Sequence, residues 1–283
     1  LKFAAGWGTE MERIKGRTAF ITGAASGIGL AIAQALAEQG ARIVLADIDG
    51  DRLARQVERL GDNAMAVRLD VVDRQAWADA KQTVEAGFGS VDILVNNAGI
   101  GPDGRALGDM DPASFDRLVA IKLTGTFNGI HCFAAGMRDR GDGHIVNTAS
   151  MAGLIASALL GAYTASKFAV VGLSEVLRAE MADHGVGVSV LCPGLIATRL
   201  GETTEKAGSE RIALRNSQAA EGLDAALVGP MVVAGIRENR AHIVTHGDYR
   251  SHVAALMERV LSAFDDVPLR NIGALPGTDI ARD

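Results

Sequence analysis

Cysteine is nearly absent: Cys132 and Cys192 are the only two in the chain. Two thiols supply neither a disulfide framework nor a zinc pattern, and a reducing, cytoplasmic setting is the expectation. Cys192 lies in the apolar run "VSVLCPG" and reads as a small buried side chain rather than a nucleophile. There is no run of basic residues, and the net charge of −6 opposes a nucleic-acid surface or a polybasic membrane anchor. Long hydrophobic runs are missing too. The longest candidate, "AGLIASALLGA" at 152–162, is too short to span a bilayer and contains Gly and Ser. No signal peptide is visible. Aromatic residues make up only 4%.

Glycine is plentiful, at 34 of 283 residues. That suits close helix–sheet packing and loops that approach a ligand. The length allows one large α/β domain or two small ones, with a sizeable core. Residues 1–10, "LKFAAGWGTE", precede Met11 and stand outside the pattern that follows. They read as an added or unstructured leader, with 11–283 as one domain.

From residue 17 short β-branched runs alternate with longer helical patterns. Strands are expected at 17–22, 41–47, 64–70, 91–97, 144–150, 186–192 and 242–245. Helices are expected at 27–40, 49–61, 74–89, 111–139, 161–184, about 223–238 and about 248–265, the second opened by a capping Asp. The strands are apolar almost throughout, as when helices cover both faces of a parallel sheet. The fold class expected is α/β: a single-domain, doubly wound, Rossmann-like parallel sheet. The tail from 266 carries Pro268, Pro276 and Gly277 and reads as loose or partner-packed.

"ITGAASGIG" joins the first strand to the first helix, with Gly23, Gly27 and Gly29 spaced G-x3-G-x-G. A pyrophosphate must lie against backbone N–H groups at a helix N-terminus, where side chains would block it. Asp47 ends the second strand, where a dinucleotide fold places the acid that holds the ribose hydroxyls. A carboxylate there repels a 2′-phosphate, and Ile48 and Asp49 follow it rather than Arg. NAD is therefore expected over NADP. Asp47 could instead cap the next helix, but Asp49 can do that. Asp70 and Val71 follow the third strand and would lie beside the adenine, or Asp70 simply caps the strand end.

"AYTASK" places Tyr163 and Lys167 four residues apart, on one face of a helix. A phenol with a pKa of about 10 is a poor base near neutrality. Lowering it by about three units takes roughly 4 kcal/mol, the attraction of one close ion pair at an effective dielectric of about 20. One lysine is thus the right size to matter. With Lys167 and an oxidised nicotinamide nearby, Tyr163 can take a hydroxyl proton as hydride leaves; in reverse it gives the proton back.

"TGAASGIG", "NNAG" (96–99), Ser150, "YTASK" and "PG" (193–194), in this order and spacing, resemble the short-chain dehydrogenase/reductase family. The resemblance covers about 16–200 and fits the shorter, single-domain branch. It implies Ser150, Tyr163 and Lys167 as catalytic residues, with Ser150 donating to the substrate oxygen and Lys167 reaching the nicotinamide ribose. The cofactor would be held by Gly23, Ser26, Gly27, Ile28, Gly29, Asp47, Ile48, Asp70, Val71, Asn97, Ala98, Gly99, Tyr163, Lys167, Pro193, Gly194, Ile196 and Thr198. The backbone of Ile196 and the hydroxyl of Thr198 match positions that hold the carboxamide, and hydride would move on the B face. Thr198 could otherwise cap the next helix. No metal is implied.

One position departs from the pattern. Where the family usually has Asn, in a local helix distortion that serves a proton relay, this chain has Lys122. A lysine offers no acceptor. Three readings are open: Lys122 points away and water takes over the relay, it lowers the Tyr163 pKa further, or it impairs turnover. The first two together are preferred. The third would leave an NAD-binding sensor or interaction protein. Asn128, six residues on, is nearly on the opposite helix face and is no substitute. A nucleotide-sugar epimerase also uses Tyr and Lys, but the glycine spacing argues against it.

The substrate pocket is expected from 151–160, 195–200 and a mobile lid within 199–221. The stretch 151–160 is uncharged, which suggests a hydrophobic or aryl-bearing alcohol or ketone. The stretches "HIVNTAS", "GVSVLCPG" and "IRENRAHIVTHGDYR" also resemble bacterial family members that oxidise benzylic alcohols of lignin-derived aryl ethers. A homodimer or homotetramer is implied, pairing helices 111–139 and 161–184.

Overall fold

Strand β1 (Thr18–Thr22) is wholly buried, and the chain turns from it into helix α1 (Gly27–Glu38). Strand β2 (Arg42–Asp47) follows, then α2 (Gly50–Leu60), whose first turn is held by Asp49 accepting from the Arg52 N–H at 3.0 Å. Strand β3 (Ala64–Arg68) leads to α3 (Arg74–Phe88), capped by Asp73 through the N–H groups of Gln75 and Ala76. Strand β4 (Ile93–Asn96) completes the first half. The structure, a computed structural model, describes residues 14–198, 200 and 221–268. The expected leader at 1–10, and the tail beyond 268, lie outside the described residues.

The second half opens with α4 (Pro112–Val119), which has Asp111 as its cap and Pro112 at its first position. A single wide π turn, Ala120–Thr124, separates it from α5 (Gly125–Arg140). The expected unbroken helix over 111–139 is therefore corrected to two helices joined by this turn. Strand β5 (Gly143–Thr148), helix α6 (Gly161–Met181) and strand β6 (Val186–Cys192) follow. A two-residue ribbon pairs β7 (Ile196–Ala197) with β8 (Leu223–Asp224). Helix α7 (Val228–Arg237), strand β9 (His242–Val244) and helix α8 (Arg250–Leu261) finish the described chain. The helix expected from about 223 thus starts at Val228, because residues 223–224 pair with β7 and 225–227 form a short 3-10 turn.

Seven parallel strands lie in the order β3-β2-β1-β4-β5-β6-β9. Their order reverses between β1 and β4, so the loops leaving those strands diverge and open a crevice at their carboxyl ends. One apolar layer, with Ile21, Ile32, Leu36, Val232 and Ile243, packs beneath α1 and α7. The other, with Phe20, Trp77, Phe133 and Met137, packs beneath α3 and α5. Both faces of the sheet are covered, which is why its strands read as continuous apolar runs.

A buried polar chain sets α6 against the sheet. Asn96 Nδ2 donates to Asn147 Oδ1 at 2.9 Å, Asn147 Nδ2 to Ser174 Oγ at 3.0 Å, and Ser174 Oγ to the Val170 carbonyl at 2.7 Å. Buried amides must be paired, so the chain specifies the height of α6 along β5.

Candidate active site

The crevice at the switch point is a cleft of about 450 Å³. At one end lies the glycine turn. Gly23 has φ +66, which a side chain would strain, and a Cβ there would come within 2.9 Å of Ala98 Cα. Thr22 Oγ1 accepts from the N–H groups of Asn97 and Ala98 at 2.9 and 3.0 Å, while Asn97 Nδ2 donates to the Thr22 carbonyl at 3.0 Å. The segment "NNAG" is thereby fastened to the turn. Ser26, at the N-cap of α1, makes no capping hydrogen bond, and the first turn carries no acid. The positive end of a twelve-residue helix is therefore presented to the cleft. Asp47 holds the rim: its oxygens accept from the Ala25 and Asp49 N–H groups, each at 3.1 Å. Each oxygen keeps a lone pair for a ligand. An uncapped helix end, a turn that admits only backbone, and a carboxylate at the tip of β2 fit a dinucleotide.

At the other end lie Ser150, Tyr163 and Lys167, all buried. Ser150 follows β5, and its Oγ accepts from Ala152 N–H at 3.1 Å. Its own hydrogen faces only the distant Pro193 carbonyl, at 3.4 Å, and can turn to a substrate oxygen. Tyr163 and Lys167 share a face of α6. Lys167 Nζ donates to the Thr148 carbonyl at 2.6 Å and lies 5.9 Å from the centre of the Tyr163 ring. Burial pushes the Lys167 ammonium down to about 8. Cys192 would oppose this only as a thiolate, but burial pushes its thiol up to about 12, so it is neutral at working pH. Thr148 also lines the cleft, and its buried Oγ1 has no partner among the described residues.

Of the catalytic and cofactor-holding residues expected from the sequence, all but Gly29 line this one cleft. Gly29 instead packs inside the turn: a Cβ there would lie 2.3 Å from the Gly23 carbonyl oxygen. Asp70 Oδ1 accepts from Val72 N–H, and the Val71 carbonyl accepts from Trp77 Nε1 and Asn128 Nδ2. Gly194 N–H donates to Thr245 Oγ1, placing the Pro193–Gly194 loop against the end of β9. Thr198 closes over the glycine turn, its side chain 3.3 Å from where a Cβ on Gly27 would lie, and its Oγ1 accepts from Leu200 N–H.

No side chain of 151–160 lines the cleft; Ala152 and Leu160 instead form a buried apolar pad beside Tyr163. The segment 201–220, expected as a lid, lies outside the described residues. Lys122 does not point away. It is 2% exposed, lines the cleft, and holds its Nζ 4.3 Å from the Tyr163 ring centre. The carbonyl of Thr148 and the hydroxyl of Thr22 escaped sequence reading. Thr22 precedes the first glycine, and a hydroxyl there is the only sign of its role.

The family model for short chain dehydrogenases matches residues 17–208. The chain belongs to this family. It is 33% identical over 273 residues to the C alpha-dehydrogenase of a Sphingobium species, a match covering 88% of each chain. It is 42% identical over 194 residues to the D-threitol dehydrogenase of Mycolicibacterium smegmatis, covering 67% of this chain and 74% of that one. A short chain dehydrogenase/reductase from Burkholderia phymatum, solved in complex with NAD, superposes with a TM-score of 0.82 at 32% identity. That match covers 91% of this chain and 99% of the other. The family is one of oxidoreductases, and the parallel sheet of the relatives is the sheet found here.

Proposed function

We propose that this chain transfers hydride between NAD(H) and a secondary alcohol or ketone bearing a hydrophobic or aryl group, with Tyr163 as general base and acid. The observation that carries the reading is one cleft running from Asp47 to Ser150, Tyr163 and Lys167. The cofactor, when bound, supplies the hydride acceptor or donor. Everything else falls to the side chains. Ser150 donates to the substrate oxygen and positions it. Tyr163 removes the hydroxyl proton during oxidation and returns it during reduction. Lys167, anchored on the Thr148 carbonyl, holds a positive charge on the same helix face. Asp47 would accept from the ribose hydroxyls and repel a 2′-phosphate. The relative solved with NAD supports that preference. The apolar side chains of Ile100, Ile121 and Leu200 lining the cleft support an apolar substituent on the substrate.

The test is reduced-nicotinamide absorbance with NAD and, separately, NADP across secondary alcohols including aryl carbinols. NAD-linked turnover, lowered at least about a hundredfold in Tyr163→Phe, is the expected result. No turnover with any of the alcohols would count against the alcohol assignment. Tight NAD binding without turnover would favour a sensing role, for which the burial of Lys122 is the supporting observation.

Self-association as a dimer or tetramer belongs to the same reading. Phe127, Phe168 and Val176 lie exposed on α5 and α6 and supply an apolar face for it. Sedimentation should give a species at least twice the monomer mass.

A further inference from the structure

Lys122 has no role in the chemistry so far described. It lies in the π turn, where the wider loop of backbone sets it toward α6. Its ammonium lies against Gly99: a Cβ on that glycine would be 3.0 Å from Nζ. The absence of a side chain at 99 makes the space that Lys122 fills. Among the described residues its Nζ has no hydrogen bond and no ion pair.

A buried ammonium without an anion is costly. The surroundings offer few partners. Among the described residues, Tyr163 and Lys167 face it from α6, and the backbone of Gly99 lies against it from the loop after β4. Cys192 lies beyond, beside Lys167. Arg117 lines the same cleft from α4, and Asp47, Asp49, Arg52 and Asp70 line its far end. Burial and the charge of Lys167 both press Lys122 toward its neutral form. Among the described residues shown against it, the group that could become an anion and hold its charge is the Tyr163 phenol.

We propose that Lys122 is a positioning residue acting through Tyr163: its ammonium against the ring face favours the tyrosinate, so the three side chains share protons as one unit. The inference rests on the alcohol chemistry proposed above for its catalytic meaning, but it can be measured without a substrate. The chain has two tyrosines, Tyr163 and Tyr249. In a Tyr249→Phe background the near-ultraviolet absorbance of tyrosinate reports Tyr163 alone.

The experiment titrates that absorbance in the purified protein with Lys122 present, with Lys122→Met and with Lys122→Asn. Met keeps the length of the side chain; Asn is small enough to fit should Met disturb the turn. A charge within a few ångströms shifts a neighbouring pKa by about one to two units, so both substitutions should raise the midpoint by at least about one unit. Where turnover is found, the acid limb of kcat/KM should move the same way, with KM little changed. An unmoved or lowered midpoint in both variants overturns the proposal, whether or not any alcohol is oxidised. Absence of turnover, with the midpoint still shifted, would sink the alcohol reading and leave the coupling standing.

Discussion

Asp47 does two things with one carboxylate. It holds the backbone of Ala25 and Asp49, and it faces the cleft. Replacing it by Asn keeps the shape but removes the charge and leaves one position as a donor. NAD affinity should fall about tenfold or more, while affinity for NADP should hold or rise, read by titration of each dinucleotide. Lys167 carries a different signature. Its folded pKa of about 8 lies below its ordinary 10.5, so between those values the unfolded chain holds a proton that the folded chain has lost. Stability from this group therefore rises with pH across that window, by up to about 3 kcal/mol. The gap between the urea midpoints of the protein and of Lys167→Met should be constant below about pH 8, shift in favour of the unsubstituted protein up to pH 10.5, and stay constant beyond it. That Asp47, Ser150, Tyr163 and Lys167 meet in one cleft was legible because their spacing to strands and glycines is written in the chain. The Thr148 carbonyl was not, since every residue has one and only the fold chooses which is used.

At the scale of elements, the apolar β-branched runs announced the strands well. Between Arg42 and Asp47 in β2, and ahead of Asn96 in β4, every residue is apolar and buried, so the pattern is unbroken. The break at 120–124 was invisible. A π turn changes the hydrogen-bond ladder by one residue, and apolar spacing tolerates that. The β7–β8 ribbon is two residues on each side, too short for any periodicity. The packing of α5 on the sheet has a sharp test. A Cβ on Gly129 would lie 2.1 Å from Asn96 Oδ1 and 2.9 Å from the Trp77 ring. Ala at 129 gains about 1 kcal/mol of helix propensity. Overpacking, typically costing about 1 to 3 kcal/mol, should outweigh that gain, because Asn96 is tied to Asn147 and cannot retreat. Thermal unfolding of Gly129→Ala should show the net loss.

The molecule as a whole joins its two halves around the cleft. The glycine turn, the β4 loop, α6 and the loop after β6 all contribute to its walls. A dinucleotide there would couple to global unfolding. At a hundredfold excess over its Kd, NAD should stabilise the protein by about 2.7 kcal/mol. A rise in Tm with NAD, smaller with NADP, is the expected outcome; equal rises would contradict the role given to Asp47. This architecture was readable from alternation of strand and helix. For the stretch 201–220, outside the described residues, a polar sequence without period says only that no strand or standard amphipathic helix is required.

The π turn before α5 also sets a phase. Each residue turns an α-helix by about 100°, and the π turn takes up one residue more than an α turn, so straightening 120–124 into α geometry with no residue removed would rotate all of α5 relative to α4. Asn128, Gly129 and Phe133 would leave the sheet together. The side chain at 122 can be exchanged by changing one residue, whereas the turn that aims it is bound into the register of an entire helix. Variation at this site should therefore alter what the chain places beside Tyr163 far more readily than where it places it.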